Sequence, residues 1–229
     1  MAEAPVVRLR DVTKSYGEGA GKAQVLRGVS FDIEKGELIA LVGQSGSGKS
    51  TLLNIIGGLD RPDAGEVEVL GVDAMRASDT TWAKMRNESI GFVFQAFNLL
   101  DHLTVLDNVI LPSSFSRNSR DIKGRGREAL RRVGLSDFAN RKPGEMSGGQ
   151  AQRVAVARAM VTEPAVVFAD EPTGSLDSLA GEQVMELLTR AAGEQGTSIV
   201  LVTHEPRVAA YAHREVIVRD GRVSGPGAA

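Results

Sequence analysis

The chain holds 229 residues with a formal net charge of −2, 42% hydrophobic and 24% charged residues, and no cysteine. That length suits one large α/β domain or a domain carrying a smaller lobe, and the near-neutral balance excludes an overall basic field aimed at nucleic acid or an anionic membrane surface. The lack of cysteine excludes disulfides, zinc–thiolate sites and thiol catalysis, which suits a reducing compartment.

The opening MAEAPVV has neither a basic n-region nor an apolar h-region, so no secretory signal is expected. No apolar run approaches the ~18 residues of a membrane-spanning helix, and any membrane part is expected on another polypeptide. VSFDIE (29–34) and EVEVLG (66–71) alternate apolar and polar residues, the pattern of half-buried strands in an antiparallel region. LIALVG (38–43), AVVFAD (165–170) and SIVLVT (198–203) are continuous apolar runs, as in strands buried on both faces.

Helical patterns separate these runs. STLLNIIGGL follows the first and SLAGEQVMELLTRAA follows the second, the latter with Ala180, Val184, Leu187, Leu188 and Ala191 on one face. Strands alternating with helices imply a mainly parallel sheet with right-handed crossovers. Between about residues 96 and 160 the pattern becomes helical and irregular, through TVLDNVILP and REALRRVGL, and predicts an inserted helical lobe. SSFSRNSRDIKGRGR reads as an exposed linker; Asp121 and Glu128 interrupt its basic residues and argue against a binding patch. There is no internal repeat or low-complexity tract.

GQSGSGKST, Gly43 to Thr51, fits G-x-x-x-x-G-K-[ST] between a buried strand and a helix, the setting of a P-loop. Gly46 and Gly48 let backbone N–H groups turn toward phosphate oxygens. Lys49 brings a cation to the β- and γ-phosphates, and Ser50 offers a hydroxyl to Mg²⁺. The candidate nucleotide contacts are Gly43, Ser45, Gly46, Ser47, Gly48, Lys49, Ser50 and Thr51. AVVFAD ends in Asp170, the expected Mg²⁺ carboxylate, and Glu171 next to it is the candidate that deprotonates the attacking water. Acidic residues often merely solvate a strand end, but beside a P-loop the catalytic reading is preferred.

In EMSGGQAQR (145–153) a serine and two glycines open a helix, where glycine costs about 1 kcal/mol against alanine. Together GQSGSGKST, Gln95, MSGGQ, VVFADEPTGSLD and His204 resemble the nucleotide-binding subunit of an ABC transporter, in the family's order and over nearly the whole chain. The resemblance implies a P-loop NTPase fold of ABC type: a RecA-like core with an antiparallel β region over 1–95 and 161–229, and a helical lobe over about 96–160. It implies ATP and Mg²⁺, with Ser50, Gln95 and Asp170 at the metal and Glu171, His204, Gln95 and Lys49 catalytic. Tyr16 stands where an aromatic stacks on adenine.

The same resemblance implies that Ser147, Gly148, Gly149, Gln150 and Asp177 contact ATP held by the P-loop of another copy, so that two ATPs join two copies. The glycines then make room for a neighbour's phosphate, with Ser147 also capping the helix. The implied partners are a second copy and an integral membrane permease on a separate chain, with the subunit peripheral on the cytoplasmic face of the cell membrane and no nucleic acid bound. Met146 replaces the family's usual Leu, with little expected effect.

FQAFNLLDHLTVLDNVILP and ADEPTGSLD resemble the MacB/LolD/FtsE-like branch, although Ser175 stands where that branch often has Asn. That branch implies export, lipoprotein release or mechanical transmission across the membrane. Two other readings compete. A soluble ABC ATPase of DNA repair or translation would bring paired cassettes, long insertions or a basic surface, none of which is visible, and a regulatory module that only holds ATP would not need Glu171 and His204. His102, His213 and Trp82 match no motif and are expected to be structural.

Overall fold

The computed structural model describes residues 4–115 and 121–224. In chain order, β1 (Val7–Tyr16), β2 (Ala23–Ile33), β3 (Leu38–Val42), α1 (Lys49–Ile56), β4 (Ala64–Val69) and β5 (Val72–Asp73) form the first third. Next come α2 (Asp79–Glu88), β6 (Ile90–Phe94), α3 (Val105–Ile110), α4 (Ile122–Arg132) and α5 (Gly148–Met160). The last third holds β7 (Val166–Asp170), α6 (Ser178–Gln195), β8 (Ser198–Thr203), α7 (Pro206–Ala209), β9 (Arg214–Arg219) and β10 (Arg222–Ser224).

The strands form two sheets. One has the order β2-β1-β4-β5 and is antiparallel; the other has the order β10-β9-β3-β8-β7-β6, parallel except for the β9–β10 hairpin. The alternating segments at 29–34 and 66–71 fall in β2 and β4. β1 is hidden from a periodicity reading by a bulge: Asp11 sits at φ +49 and the pairing with β2 shifts between Leu9 and Val12, which breaks the two-residue repeat.

The continuous apolar runs have a direct physical cause. Ile39 and Leu41, Val166 and Phe168, and Val200 and Val202 face a core shared with α1 and the antiparallel sheet. Leu38, Val167, Ala169, Ile199 and Leu201 face a second core, shared with α3, α4, α5 and α6. Each central strand is therefore apolar on both faces. In α6 the fully buried stripe is Gly181, Val184, Met185, Leu188, Ala191 and Ala192, with Ala180 and Leu187 only half-buried at its edge.

The stretch from Ser113 to Arg127 corrects the linker expectation. Residues 112–115 form a 3₁₀ turn, 116–120 lie outside the described residues, and helix begins at Ile122. Asp121 caps that helix by accepting the Gly124 N–H at 3.0 Å. Gly126 is buried where a Cβ would come 2.3 Å from Ile110 and 2.7 Å from Leu106. Glycine here marks close packing of α4 on α3, where composition alone suggests a loop.

The helices that pack on the second core are held by caps and buried amides. Thr104, Asp121, Ser147 and Asp177 accept backbone N–H groups at the starts of α3, α4, α5 and α6. Asn108 is fully buried; it accepts the Leu100 N–H at 2.7 Å and donates to the Leu100 and Thr104 carbonyls at 3.1 and 3.0 Å. Asn108→Ala, which strands the Leu100 amide, is expected to cost about 2 kcal/mol of stability. Urea unfolding followed by circular dichroism would show a lower midpoint, and an unchanged midpoint would refute the role.

Candidate nucleotide-binding site

All four segments that build the site leave the same edge of the six-stranded sheet. In the parallel register Phe94 pairs with Asp170, Asp170 with Val202, and Val42 with Thr203. Gln95, Glu171, Gly43 and His204 therefore start from one line, at the carboxyl ends of the strands, where open α/β sheets bind ligands.

From Gly43 the chain turns through the Gly-rich loop into α1. Gly48, immediately before the helix, has φ +107, which side-chain-bearing residues rarely adopt. Lys49 is buried, and its Nζ donates to the Gly43 and Gln44 carbonyls at 2.8 Å each. The ammonium is thus fixed at the mouth of the loop, beside the first N–H groups of α1, a setting suited to anions.

A cleft of about 790 Å³ opens here, lined by Tyr16, Val25, loop residues 44–46 and 48–51, Gln95, Glu171 and His204. Gly43 and Ser47 do not line it: Gly43 contributes the carbonyl that holds Lys49, and Ser47 is buried, its carbonyl accepting the Gly221 N–H at 3.1 Å. Tyr16 is exposed at the cleft's rim. Its hydroxyl donates to Asp60 at 2.6 Å, and Asp60 also takes the Lys14 ammonium at 2.7 Å. Val25, Lys14 and Asp60 carry no motif, so nothing in the sequence announces them.

Ser50 Oγ donates to Asp170 Oδ1 at 3.2 Å. Burial pushes the Asp170 carboxyl above its usual range and the adjacent Glu171 adds to this, opposed by the Ser50 hydrogen bond and Lys49. Hydroxyl and carboxylate oxygens are hard donors of the kind Mg²⁺ takes. Among the described residues no group of three or more His, Cys, Asp or Glu could hold a metal alone.

Glu171 adopts φ +46, an unusual conformation held by its N–H donating to the Val202 carbonyl at 2.9 Å. Its Oε1 lies 2.8 Å from His204 Nδ1. That hydrogen bond, with the attraction of the Glu171 charge, raises the His204 pKa above its ordinary value. Gln95 reaches over the loop after Glu171: a Cβ on Gly174 would fall 2.9 Å from its Nε2.

The remaining candidates gather elsewhere. Ser147, Gly148, Gly149, Gln150 and Asp177 line a separate depression of about 250 Å³. Ser147 and Gln150 cap each other, the Ser147 hydroxyl accepting the Gln150 N–H at 3.3 Å and the Gln150 side chain accepting the Ser147 N–H at 3.0 Å. Gly149 has a further reason within the chain, since a Cβ there would come 2.7 Å from that of Ala180, so the starts of α5 and α6 touch. At Gly148, which is exposed, a Cβ would meet only ordinary contacts. No residue lines both the cleft and the depression.

Of the residues outside the motifs, His213 is structural, its Nδ1 accepting the Leu38 N–H at 3.0 Å, and Trp82 is buried. His102 is exposed.

Residues 26–174 match the family described as ABC transporter. The chain belongs to that family. The cassette is 47% identical to the lipoprotein-releasing system ATP-binding protein LolD of Geobacter metallireducens, over 95% of this chain and 97% of that protein. It is 46% identical to the macrolide export ATP-binding/permease protein MacB 1/2 of Paracoccus denitrificans over 97% of this chain, but spans only 34% of that longer protein. The fold matches the ATP-binding cassette MJ0796, solved as a dimer in a post-hydrolysis state bound to ADP and Pi, with TM-score 0.89, 43% identity and coverage of 96% of this chain and 97% of that one. As a member of this family, the cassette is an ATP-binding and ATP-hydrolysing transporter subunit.

The His204–Glu171 contact predicts a titration. Because the His204 pKa is raised in the folded protein, the pair's stabilisation is fully present below about pH 6.5 and is lost as pH rises through the folded value. Followed by NMR of the ring protons, His204 should titrate above the ordinary range and return toward it in Glu171→Gln. The same midpoint in both proteins would rule the contact out.

Proposed function

We propose that the cassette works in pairs, two copies closing on two ATP molecules to drive an integral membrane permease carried on a separate chain. The observation that carries this reading is the division of the candidate residues between two unshared surfaces. The cleft around Lys49 holds the phosphate-facing and hydrolytic groups. The depression around Ser147 holds a capped helix start and Asp177, which a second copy could bring to the first copy's phosphates.

In the closed pair, Tyr16 stacks on adenine, loop residues 44–46 and 48–51 enclose the phosphates, and the Lys49 ammonium offsets their charge. Ser50, Asp170 and Gln95 would hold Mg²⁺, which when bound offsets charge on the phosphate oxygens. Glu171 accepts a proton as the water oxygen bonds to the γ-phosphorus and the bond to the ADP oxygen breaks. His204 holds the Glu171 carboxylate through its Nδ1 and contacts the γ-phosphate. Ser147, Gly148, Gly149, Gln150 and Asp177 of the second copy exclude water, which strengthens each of these interactions. Loss of the γ-phosphate removes the link, and the pair opens.

The membrane part is proposed to come from a partner, a reading supported by the LolD relative, an ATP-binding protein matched over 97% of its length; no helix among the described residues is long and apolar enough to cross a membrane. The subunit then sits peripherally on the cytoplasmic face. The MacB and LolD relatives support work of the export or lipoprotein-release kind. They also weigh against a soluble ATPase of DNA repair or translation and against nucleic acid as a partner.

Glu171→Gln should lower ATP turnover by about a hundredfold or more while leaving an ATP-dependent dimer that persists on size exclusion. Unchanged turnover would refute Glu171 as the base, and a monomer with ATP would refute the paired site. Lys49→Ala should lose both nucleotide affinity and dimer formation, read with a fluorescent ATP analogue. Retained affinity would refute its phosphate role.

A further inference from the structure

Helix α5 does more than begin at Ser147. Its second turn carries Gln152, a side chain with no exposed surface and no place in the site described above. The Gln152 amide Nε2 donates to the Phe94 carbonyl at 3.2 Å and to the Pro172 carbonyl at 2.5 Å. Phe94 is the residue before Gln95, and Pro172 is the residue after Glu171. Since both partners are carbonyls, only the NH₂ end of the amide can face them, which fixes its orientation. A single NH₂ group therefore ties the peptide leading into Gln95 to the Pro172–Thr173 peptide, one residue beyond Glu171.

A second tie lies further along the same helix. Arg158 donates to the Phe97 and Asn98 carbonyls at 2.8 and 2.5 Å. Phe97 and Asn98 both adopt positive φ, +59 and +50, readily for Asn but, for a bulky residue such as Phe97, only when surrounding structure holds it. The segment carrying Gln95 is thus fastened to α5 before and after that residue. The turn after β7 is fastened to the same helix through Pro172.

We propose that Gln152 is a positioning residue that couples the orientation of α5, and with it the Ser147–Gln150 end, to the placement of the Glu171 carboxylate and Gln95. This rests on the roles given above to Glu171 and Gln95. A rotation of α5 would pull both carbonyls through one rigid amide. The groups they flank would move in or out of reach of the attacking water together. Displacements of about 1 Å can cost a hundredfold in rate.

The test compares wild type, Glu171→Gln, Gln152→Met and Gln152→Asn, reading kcat and KM for Mg-ATP together with thermal unfolding. Gln152→Met keeps the length and loses both donors; Gln152→Asn keeps the amide on a stem one methylene shorter. The expected result for Gln152→Met is a kcat at least about tenfold lower with KM within about twofold of wild type, and for Gln152→Asn a kcat in between. Gln152→Met placed in the Glu171→Gln background should still form the ATP-dependent dimer.

A Gln152→Met kcat within about twofold of wild type, beside an inactive Glu171→Gln, overturns the inference alone. Loss of the dimer or a steep rise in KM along with kcat also overturns it, because the amide then holds the Ser147 end and not the hydrolytic groups. Should Gln152→Met fail to fold, wild-type kcat in Gln152→Asn overturns the inference and a reduced kcat at unchanged KM upholds it. Wild-type turnover in Glu171→Gln would remove the underlying reading of the site instead.

Discussion

The register of the parallel strands β3, β8, β7 and β6 is the constraint on which the rest depends. Val42 pairs with Thr203, Asp170 with Val202 and Phe94 with Asp170, so four segments leave the sheet at one level. A slip of one residue would turn every side chain of a strand to the opposite face. Both faces are buried here, against different cores, so such a slip would strand the side chains selected for each. The packing that stabilises the sheet also sets the heights of Lys49, Gln95, Glu171 and His204.

Around that line the groups are arranged as opposed charges in a partly buried space. The Lys49 ammonium is held by two carbonyls, which orient it without neutralising it. Asp170 and Glu171 are adjacent carboxylates with different partners, Ser50 for one and His204 for the other. Burial and the like charge of Glu171 push the Asp170 pKa up, a cost that a cation between Asp170 and Ser50 would relieve. The strained φ of Glu171 belongs to the same economy, since strain at functional sites is maintained by the structure around it.

The helical lobe packs apolar faces on the second core, and polar contacts fix how its helices begin and sit. Each of its principal helices starts at a side-chain cap, and the buried amides Asn108 and Gln152 hold backbone carbonyls. Such contacts are directional. The close approach of Gly149 to Ala180 makes the starts of α5 and α6 one surface, which presents Ser147 and Asp177 together. That surface and the P-loop cleft share no residue, a division that suits a site completed between two copies.

The P-loop was legible from the sequence because its chemistry is local: consecutive backbone groups and one lysine, set between a buried strand and a helix. The central strands were legible because double-sided burial leaves an uninterrupted apolar run. β1 was not, because the bulge at Asp11 breaks its alternation. The stretch 113–127 misled because small and charged residues also serve capping and tight helix packing, as Asp121 and Gly126 do. Gln95, His204, Tyr16 and Asp177 were assigned by family resemblance alone, single residues having no periodicity to betray them.

What the sequence by itself determined is therefore the local chemistry, the doubly buried strands and the family. Only the tertiary structure decided that Glu171 meets His204, that Ser47 is buried outside the cleft, that Gly149 is required by Ala180, and that Gln152 grips the Phe94 and Pro172 carbonyls, next to Gln95 and Glu171. These contacts join residues far apart in the chain. They arise from packing and register, which no short stretch of sequence records.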